Sequence, residues 1–407
     1  MAVFITDGNQ RSALAVVRSL GQAGVAVTVG ESQVPSLAGI SRYCSKQVRY
    51  PSPIAEGERF LAFLCEQMAG GEYEVLLPMT DITMQLVASA RESFPPSVHV
   101  PFPGQEQVLL VQDKGHVLEV AQRLGIPCPE TFFCNEKIVE EVAGMLRYPV
   151  VVKPRFSRAF HDGRWVHGAV RYAHDPASLV ASYRNAHALF PCPIVQEKLE
   201  GEGRGVFLLI WKGELKAAFC HRRLREKPPW GGVSVYSESL PLDRNLAEQS
   251  FALLKALGWE GVAMVEFKVD GRDRQPKLTE VNGRFWGSLQ LAIDAGMNFP
   301  HLLYRCAMGE EVPAQFDYQP GVKSRWLLGD LDHLLIKLTH AQSPNGVRYS
   351  WGSRLAAGAS FLKFYERKTR SEVQRLDDPA PGWHEVKSYV RDGLRRLMPR
   401  RKEVHAP

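Results

Sequence analysis

Acidic and amide side chains occupy two neighbouring predicted strands. Glu266 lies inside the apolar segment 262–269, and Glu280 and Asn282 lie two residues apart on segment 277–282, so the strand period puts these two on one face. A turn that pairs the segments would place Glu266 opposite Glu280. Two carboxylates and an amide on one sheet face cannot stay buried without a partner that compensates their charge and polarity. Mg²⁺ prefers such oxygen ligands. The alternative, surface acids on an edge strand, is disfavoured by the apolar neighbours.

Three basic residues accompany this set. Arg284 follows the acidic strand, Lys153 ends the apolar run 149–152, and Lys114 stands at the start of a predicted helix. A strand end is a usual place for a phosphate contact, and the helix dipole disfavours a cation at a helix start, so Lys114 needs a reason there, of which solvent exposure is the simplest. Taken alone, each lysine is better explained as structural. Together with the acids, they predict binding of phosphate groups.

Segment 221–232 predicts a second anion-binding feature. It contains three arginines and ends in a Pro-Pro-Trp-Gly-Gly turn, so the Gly232 N–H would face a substrate. Arg222 and Arg223 alternate in direction, so at most one of them points inward. The alternative is a solvated basic strand followed by a tight turn.

The elements that must position these residues follow a regular order. Residues 2–29 read as strand, turn, helix and strand, which opens a doubly wound α/β domain. The turn lacks a GxGxxG pattern, which argues against a dinucleotide site. Later strand-like segments separated by short turns predict an antiparallel α+β unit. Beyond residue 313 the pattern becomes helical.

Length and composition exclude several classes of protein. The chain has 407 residues, 45% apolar and 23% charged, which fits two or three globular domains. We find no apolar run long enough to span a membrane and no signal peptide, and therefore expect a cytoplasmic protein. The seven scattered cysteines predict free thiols rather than disulfides or a zinc site.

The net charge of +6 is concentrated at the C-terminus. Residues 366–407 contain eleven lysines and arginines against seven acids, and so carry +4 of that charge. The near-neutral remainder predicts no nucleic-acid partner. Apolar residues recur at helical spacing from Trp383 to Leu397, which is typical of a basic amphipathic helix. It would dock on the body with a frayed end at 400–402, or touch a membrane surface weakly.

The order of these motifs resembles the ATP-grasp superfamily, over about residues 3–309. Within it, the sequence looks closest to bacterial carbamoyl-phosphate-synthetase-like proteins of the carboxylate–amine ligase type. The motifs that carry the resemblance are Asp113-Lys114, Lys153, Gln196-Glu197-Lys198-Leu199, Glu266 and Glu280-x-Asn282-x-Arg284.

The resemblance implies three parts. These are an N-terminal α/β domain (1–108), an ATP-grasp domain (109–312) with a lid at about 130–195 and an antiparallel catalytic half, and a helical extension with a basic tail (313–407). The phosphate-covering loop of the superfamily is glycine-rich, whereas residues 155–163 here contain one glycine. This lid would therefore use Ser157, Arg158 or His161 instead.

The resemblance also implies roles for individual residues. Lys114 and Lys153 would contact ATP phosphates, and Lys153 and Arg284 would be catalytic. Gln196, Glu197 and the backbone of Leu199 would bind the nucleotide at the adenine end, and Glu202 would bind the ribose. Arg222 and Gly232 would complete the nucleotide site. The ligands of Mg²⁺, or of Mn²⁺ in its place, would be Glu266, Glu280 and Asn282.

The implied reaction is ATP-dependent ligation. A small-molecule carboxylate forms an acyl phosphate, an amine or another nucleophile displaces phosphate, and ADP is released. Two alternatives stay open: a phosphotransferase on the same fold, and a nucleotide-binding regulatory or membrane-adaptor protein. A homodimer is also left open.

Overall fold

The computed structural model describes residues 2–161, 163–363 and 368–397, and within these the strands form four sheets. The N-terminal part alternates strands and helices, as predicted for residues 2–29. Its elements are β1 (Ala2–Ile5), α1 (Arg11–Gln22), β2 (Ala26–Glu31), β3 (Lys46–Arg49), α2 (Gly57–Ala69), β4 (Val75–Leu77), α3 (Asp81–Ser89), a single 3₁₀ turn (Arg91–Ser93) and α4 (Gln105–Gln112).

The first sheet is parallel, with strand order β3-β2-β1-β4. Strand β1 is buried because Val3, Phe4 and Ile5 are all apolar, and α1 covers the sheet with apolar residues at helical spacing. The chain adds β2 and β3 on one side of β1 and then returns to add β4 on the other side. Ligands of open α/β sheets bind at such a point, beyond the carboxyl ends of the strands.

The lid follows as a smaller sheet with two helices. After α5 (Lys114–Arg123), its elements are β5 (Thr131–Phe133), α6 (Val139–Met145), β6 (Val150–Lys153), β7 (Arg158–His161), β8 (Arg164–His167), β9 (Arg171–Ala173), α7 (Pro176–His187) and β10 (Ile194–Glu197). The antiparallel order is β5-β10-β6-β9, and β7 and β8 form a separate hairpin. Both helices pack on this sheet and give the lid its own core.

The largest sheet has seven strands in the order β15-β14-β11-β12-β13-β16-β17, and only its last pair is parallel. Successive apolar residues of β11 point to opposite faces of the sheet, and each face packs against its own hydrophobic core. The elements are β11 (Gly201–Trp211), β12 (Glu214–Lys227), β13 (Val233–Leu240), α8 (Arg244–Ala256), β14 (Gly261–Asp270), β15 (Pro276–Asn282), α9 (Leu289–Asp294), α10 (Phe299–Ala307), β16 (Lys323–Arg325), α11 (Leu327–Thr339), α12 (Trp351–Phe361), β17 (Thr369–Ser371) and α13 (Pro379–Leu397).

The C-terminal segment is helical, as expected, but it also adds β16 and β17 to the large sheet. Buried Arg18 on α1 anchors it: the Arg18 Nε donates to Asp378 at 2.9 Å. Helix α13 docks through Tyr389, whose hydroxyl donates to Asp332 at 2.5 Å, while Trp383 is 67% exposed. The predicted frayed end at 400–402 lies outside the described residues. Among the described helices, none is both long and apolar enough to cross a membrane.

Candidate active site

Two carboxylates face each other across adjacent strands of the large sheet. The antiparallel register pairs Glu266 on β14 with Glu280 on β15, which is the pairing expected from the sequence. Asn282 completes the group: its Nδ2 donates to Glu266 Oε1 at 3.2 Å and lies 3.4 Å from Glu280 Oε1. The neighbouring Val265 and Val281 point into the opposite core. Strand alternation therefore brings all three polar side chains to one face.

Each carboxylate has its own cation. Lys114 Nζ lies 3.7 Å from Glu280 Oε2, and Arg223 Nη2 lies 2.5 Å from Glu266 Oε2. Burial raises the pKa of Glu266, and the Arg223 charge offsets this only in part. Burial also acts on Glu280, but Lys114 and Lys153 outweigh it and lower the pKa of Glu280. The pair therefore contains one firmly ionised carboxylate and one that protonates more easily.

Lys114 begins helix α5 and links the lid to the acids. The Asp113 side chain caps this helix by accepting from the backbone N–H groups of Gly115 and His116. The Lys114 Nζ donates to Ser157 Oγ at 2.7 Å on the lid loop. This lysine therefore sits at the helix start with two partners in the site, rather than as a solvated surface charge.

Lys153 and Gln196 meet on the face of the lid sheet. Strand β6 ends at Lys153, whose Nζ donates to Gln196 Oε1 at 2.7 Å. The Gln196 Nε2 in turn donates to Thr131 Oγ1 at 2.9 Å. Burial lowers the pKa of Lys153 to about 8, although the negative charge of Glu280 acts to raise it. An anion bound here would therefore stabilise the protonated form of this lysine.

Glu197 lies at the end of β10, between the lid and the large sheet. Its Oε1 accepts from the Glu130 N–H at 3.0 Å, and its Oε2 lies 2.6 Å from Arg272 Nη2. Burial alone would raise the pKa of Glu197, but the hydrogen bond from Arg272 and nearby Lys277 lower it. Leu199 follows, with its side chain buried.

Arg284 is positioned by the N-terminal domain. Its Nε donates to Asp81 Oδ1 at 2.7 Å, and its Nη2 donates to Asp81 Oδ2 and Asn282 Oδ1, both at 3.2 Å. Burial would lower the pKa of Arg284, but the Asp81 carboxylate outweighs it and raises the pKa. Asp81 was missed by the sequence reasoning. Its one sequence signal is its place just after β4, at the carboxyl edge of the parallel sheet.

A narrow cleft joins these parts. Asp81 lines it from the start of α3 and Gln112 from the end of α4, Ser157 and Arg158 from the lid loop, and Glu280 from the large sheet. Lys114 and Asn282 lie between them. The lid thus brings Ser157 and Arg158, two of the three residues expected to replace its missing glycines, to the acids.

Two residues expected at the nucleotide site lie on the wrong face of the sheet. On β11, Gly205 pairs with Glu266, so the even-numbered Glu202 points to the opposite side. Arg222 points the same way as Glu202, and its Nη1 lies 3.3 Å from Glu202 Oε2 while its Nε donates to Glu238 at 2.9 Å. The placement of Glu202 and Arg222 in the site is therefore wrong, and Arg223 is the arginine that reaches the acids.

The rest of segment 221–232 does not assemble an arginine pocket. Arg225 Nε lies 2.6 Å from Asp330, and Lys227 pairs with Asp332, both on helix α11. These charges are used to hold the C-terminal segment. Gly232 lies beside Arg223 and accepts a hydrogen bond from it at 3.2 Å through its carbonyl oxygen.

The acids fit a magnesium ion that is shared with a substrate. Within the described ranges, no group of three or more His, Cys, Asp or Glu side chains could hold a metal ion. The candidate set is two carboxylates and one amide. Mg²⁺ is usually bound by one or two carboxylates together with substrate phosphates and water, so this donor set is sufficient only with a phosphorylated ligand beside it.

Comparisons with known proteins concern the fold and part of the chain. A family model described as "ATP-grasp in the biosynthetic pathway with Ter operon" matches residues 190–329. No significant match was found among curated proteins. The fold is similar to biotin carboxylase from Campylobacter jejuni in a β,γ-ATP complex, with a TM-score of 0.64, 17% identity, and coverage of 79% of this chain and 74% of that chain.

Two further solved structures share the fold. N5-carboxyaminoimidazole synthetase from Staphylococcus aureus has a TM-score of 0.63 and 14% identity, with 86% of this chain and 90% of that chain covered. L-amino acid ligase from Bacillus licheniformis has a TM-score of 0.57 and 17% identity, with 75% and 74% covered. At such low identity, the likeness concerns the fold.

Proposed function

We propose that this chain, which belongs to the ATP-grasp superfamily, is an ATP-dependent ligase that activates a small-molecule carboxylate and joins it to an amine or another nucleophile. The observation that carries this proposal is the pair Glu266–Glu280, placed within reach of Lys114 and next to Arg284. Phosphoryl transfer needs charge neutralisation and positioning more than covalent help from the protein. This cluster supplies both.

The nucleotide would lie between the lid sheet and the large sheet. Lys153 approaches from the lid sheet and Lys114 from the start of α5, and both would hold the phosphates, whose negative charge would raise the lowered pKa of the buried Lys153. Gln196 would position Lys153 through their hydrogen bond. Glu197 and the Leu199 backbone stand between the two sheets, where the adenine would bind.

Glu266, Glu280 and Asn282 would hold Mg²⁺, or Mn²⁺ in its place. The bound ion would neutralise the β- and γ-phosphates of ATP. Asn282 would have to turn its amide to offer Oδ1, which now accepts from Arg284.

The reaction itself has two steps. A substrate carboxylate oxygen attacks the γ-phosphorus, the bond to the ADP oxygen breaks, and an acyl phosphate forms. The nucleophile then attacks the acyl carbon, phosphate leaves, and an amide results when the nucleophile is an amine. Arg284 would stabilise the negative charge on the transferred phosphoryl group, and Asp81 holds its guanidinium in place.

Hydroxylamine trapping tests this proposal. The protein is incubated with Mg²⁺-ATP, hydroxylamine and a panel of amino acids and sugar acids, with Glu280→Gln as the matched control. We expect hydroxamate and ADP to appear together with one of the acids and to be absent in the control. A stable phosphorylated product without hydroxamate would indicate the phosphotransferase. Nucleotide binding with neither product on successively wider panels would favour the regulatory protein.

A further inference from the structure

A buried arginine is paired with one of the candidate metal ligands. Arg223 projects from β12 on the face that carries Glu266, and its Nη2 lies 2.5 Å from Glu266 Oε2. Its Nη1 lies 3.1 Å from Glu226 Oε1 and donates to the Gly232 carbonyl at 3.2 Å. The side chain is 12% exposed. The Nη1 of the guanidinium thus binds two groups outside the acidic pair, and the Nη2 binds Glu266 of that pair.

The strand beneath Arg223 leaves room for it. A Cβ on Gly203 of β11 would lie 3.1 Å from the Arg223 Cδ, so a larger residue there would crowd the arginine. Gly205, the next residue on the same face, is paired with Glu266. The arginine therefore lies over Gly203, where β11 has no side chain beneath it, whereas the space over Gly205 is filled by the Phe207 ring and His221.

Each carboxylate of the acidic pair has a cationic side chain beside it. Lys114 stands beside Glu280 at 3.7 Å, and Arg223 stands beside Glu266 at 2.5 Å. A divalent cation between the two carboxylates would meet both positive groups at short range, and like charges this close repel strongly when they are shielded from water. Cation binding and the Arg223–Glu266 ion pair therefore compete.

We propose that Arg223 takes the place of the metal cation on Glu266 in the nucleotide-free protein and transfers to the terminal phosphate when metal and nucleotide bind. This inference rests on the proposed function, because it takes Glu266 as a metal ligand. On leaving Glu266 the buried guanidinium keeps Glu226 beside its Nη1, and a phosphate would replace the carboxylate that its Nη2 loses. The planar guanidinium binds phosphoryl oxygens through two N–H groups, and the tethers to Glu226 and Gly232 keep it within the site.

The first measurement is Mn²⁺ binding without nucleotide, by electron paramagnetic resonance on the full chain. We expect Arg223→Gln to bind Mn²⁺ about five- to tenfold more tightly than the wild type, because the competing cation is gone. Arg222→Gln is the matched control. It removes the same charge one residue away, but from the opposite face, where Arg222 pairs with Glu202 and Glu238. Its Mn²⁺ affinity should equal that of the wild type.

The second measurement compares nucleotides in the presence of Mn²⁺. We expect Arg223→Gln to bind the ATP analogue AMP-PNP about tenfold more weakly than the wild type, and ADP within about twofold, because only AMP-PNP has the third phosphate. A residue with a purely structural role would weaken both nucleotides and would not raise the Mn²⁺ affinity. Arg223→Lys keeps one positive charge but loses the guanidinium fork, so it should bind Mn²⁺ like the wild type and AMP-PNP more weakly.

The outcomes separate the two proposals. If the wild type binds Mn²⁺–AMP-PNP and Arg223→Gln shows no gain in Mn²⁺ affinity or no selective loss of AMP-PNP, this inference is overturned and the proposed function stands. If the wild type binds no nucleotide with Mn²⁺, both fall. Should Arg223→Gln not fold by circular dichroism, Arg223→Lys decides alone: AMP-PNP affinity equal to the wild type overturns the inference.

Discussion

Replacing Glu280 with glutamine removes one of the two paired carboxylates while keeping the length of the side chain. The carboxylate is 31% exposed, its nearest cation is Lys114 Nζ at 3.7 Å, and Asn282 Nδ2 lies 3.4 Å away. A glutamine amide can still meet Asn282, but it contributes no negative charge. The substitution therefore takes one charged oxygen ligand from the candidate metal site with little change in packing.

The effects on activity and stability should differ greatly. Loss of one preorganised electrostatic group in an active site lowers turnover by about 10²–10³-fold, or about 3–4 kcal/mol, and a direct metal ligand belongs at the upper end. The ion pair with Lys114 is partly exposed and long, so its loss costs at most about 1 kcal/mol. Relief of the repulsion from Glu266 offsets part of this cost. We expect the Tm to change by no more than about 2 °C.

The assay is ADP release with Mg²⁺-ATP and the acid that the hydroxylamine panel identifies, with thermal unfolding followed in parallel. Glu72→Gln serves as the matched control, because Glu72 pairs with Lys46 at 3.1 Å on the exposed surface. It should retain full turnover. Turnover of the Glu280→Gln variant within about threefold of the wild type would refute the metal assignment. A Tm loss above about 5 °C would refute the claim that Glu280 serves function rather than folding.

Three further predictions concern the site, the sheet and the C-terminal segment. Burial lowers the pKa of Lys153 to about 8, so the ammonium is lost above pH 8 and AMP-PNP affinity should fall there by up to about tenfold per pH unit. Calorimetric titrations across this pH range measure the affinity, and an affinity that does not change with pH would contradict the prediction. Gly205→Ala places a methyl group 2.6 Å from an aromatic ring and should lower the free energy of unfolding by about 1–3 kcal/mol in urea, whereas Gly144→Ala, with no atom within 4 Å, should not; equal stability of the two variants would be the opposite result. Arg18→Met leaves the buried Asp378 carboxylate without its cation and should lower the free energy of unfolding in urea by about 3–5 kcal/mol, with faster proteolysis of the C-terminal segment. A loss below about 1 kcal/mol would show that the pair does not anchor this segment.

Much of the candidate site was predictable because it lies on regular strands. Alternation along β14 and β15 places Glu266, Glu280 and Asn282 on one face, and their apolar neighbours identify the strands as buried. Lys114 and Lys153 lie at the start of a helix and the end of a strand, as the sequence predicts. These positions depend on local periodicity, which the sequence carries directly.

The choice between Arg222 and Arg223 was not predictable in the same way. Alternation shows that only one of them points inward, but which one depends on the register of β12 against β11 and of β11 against β14. Register is set by the pairing of whole strands, and a shift of one residue exchanges the two faces. The same dependence placed Glu202 outside the site.

The sequence by itself determined the order of the N-terminal strands and helix and the shared face of Glu280 and Asn282, because each follows from apolar periodicity and residue type over short stretches. Only the tertiary structure decided the partners that come from distant parts of the chain. Asp81 is 203 residues from Arg284, and the acids that hold Arg225 and Lys227 lie on helix α11. Such contacts form where separate elements pack together, and no local pattern of residues indicates which charged side chains will pair.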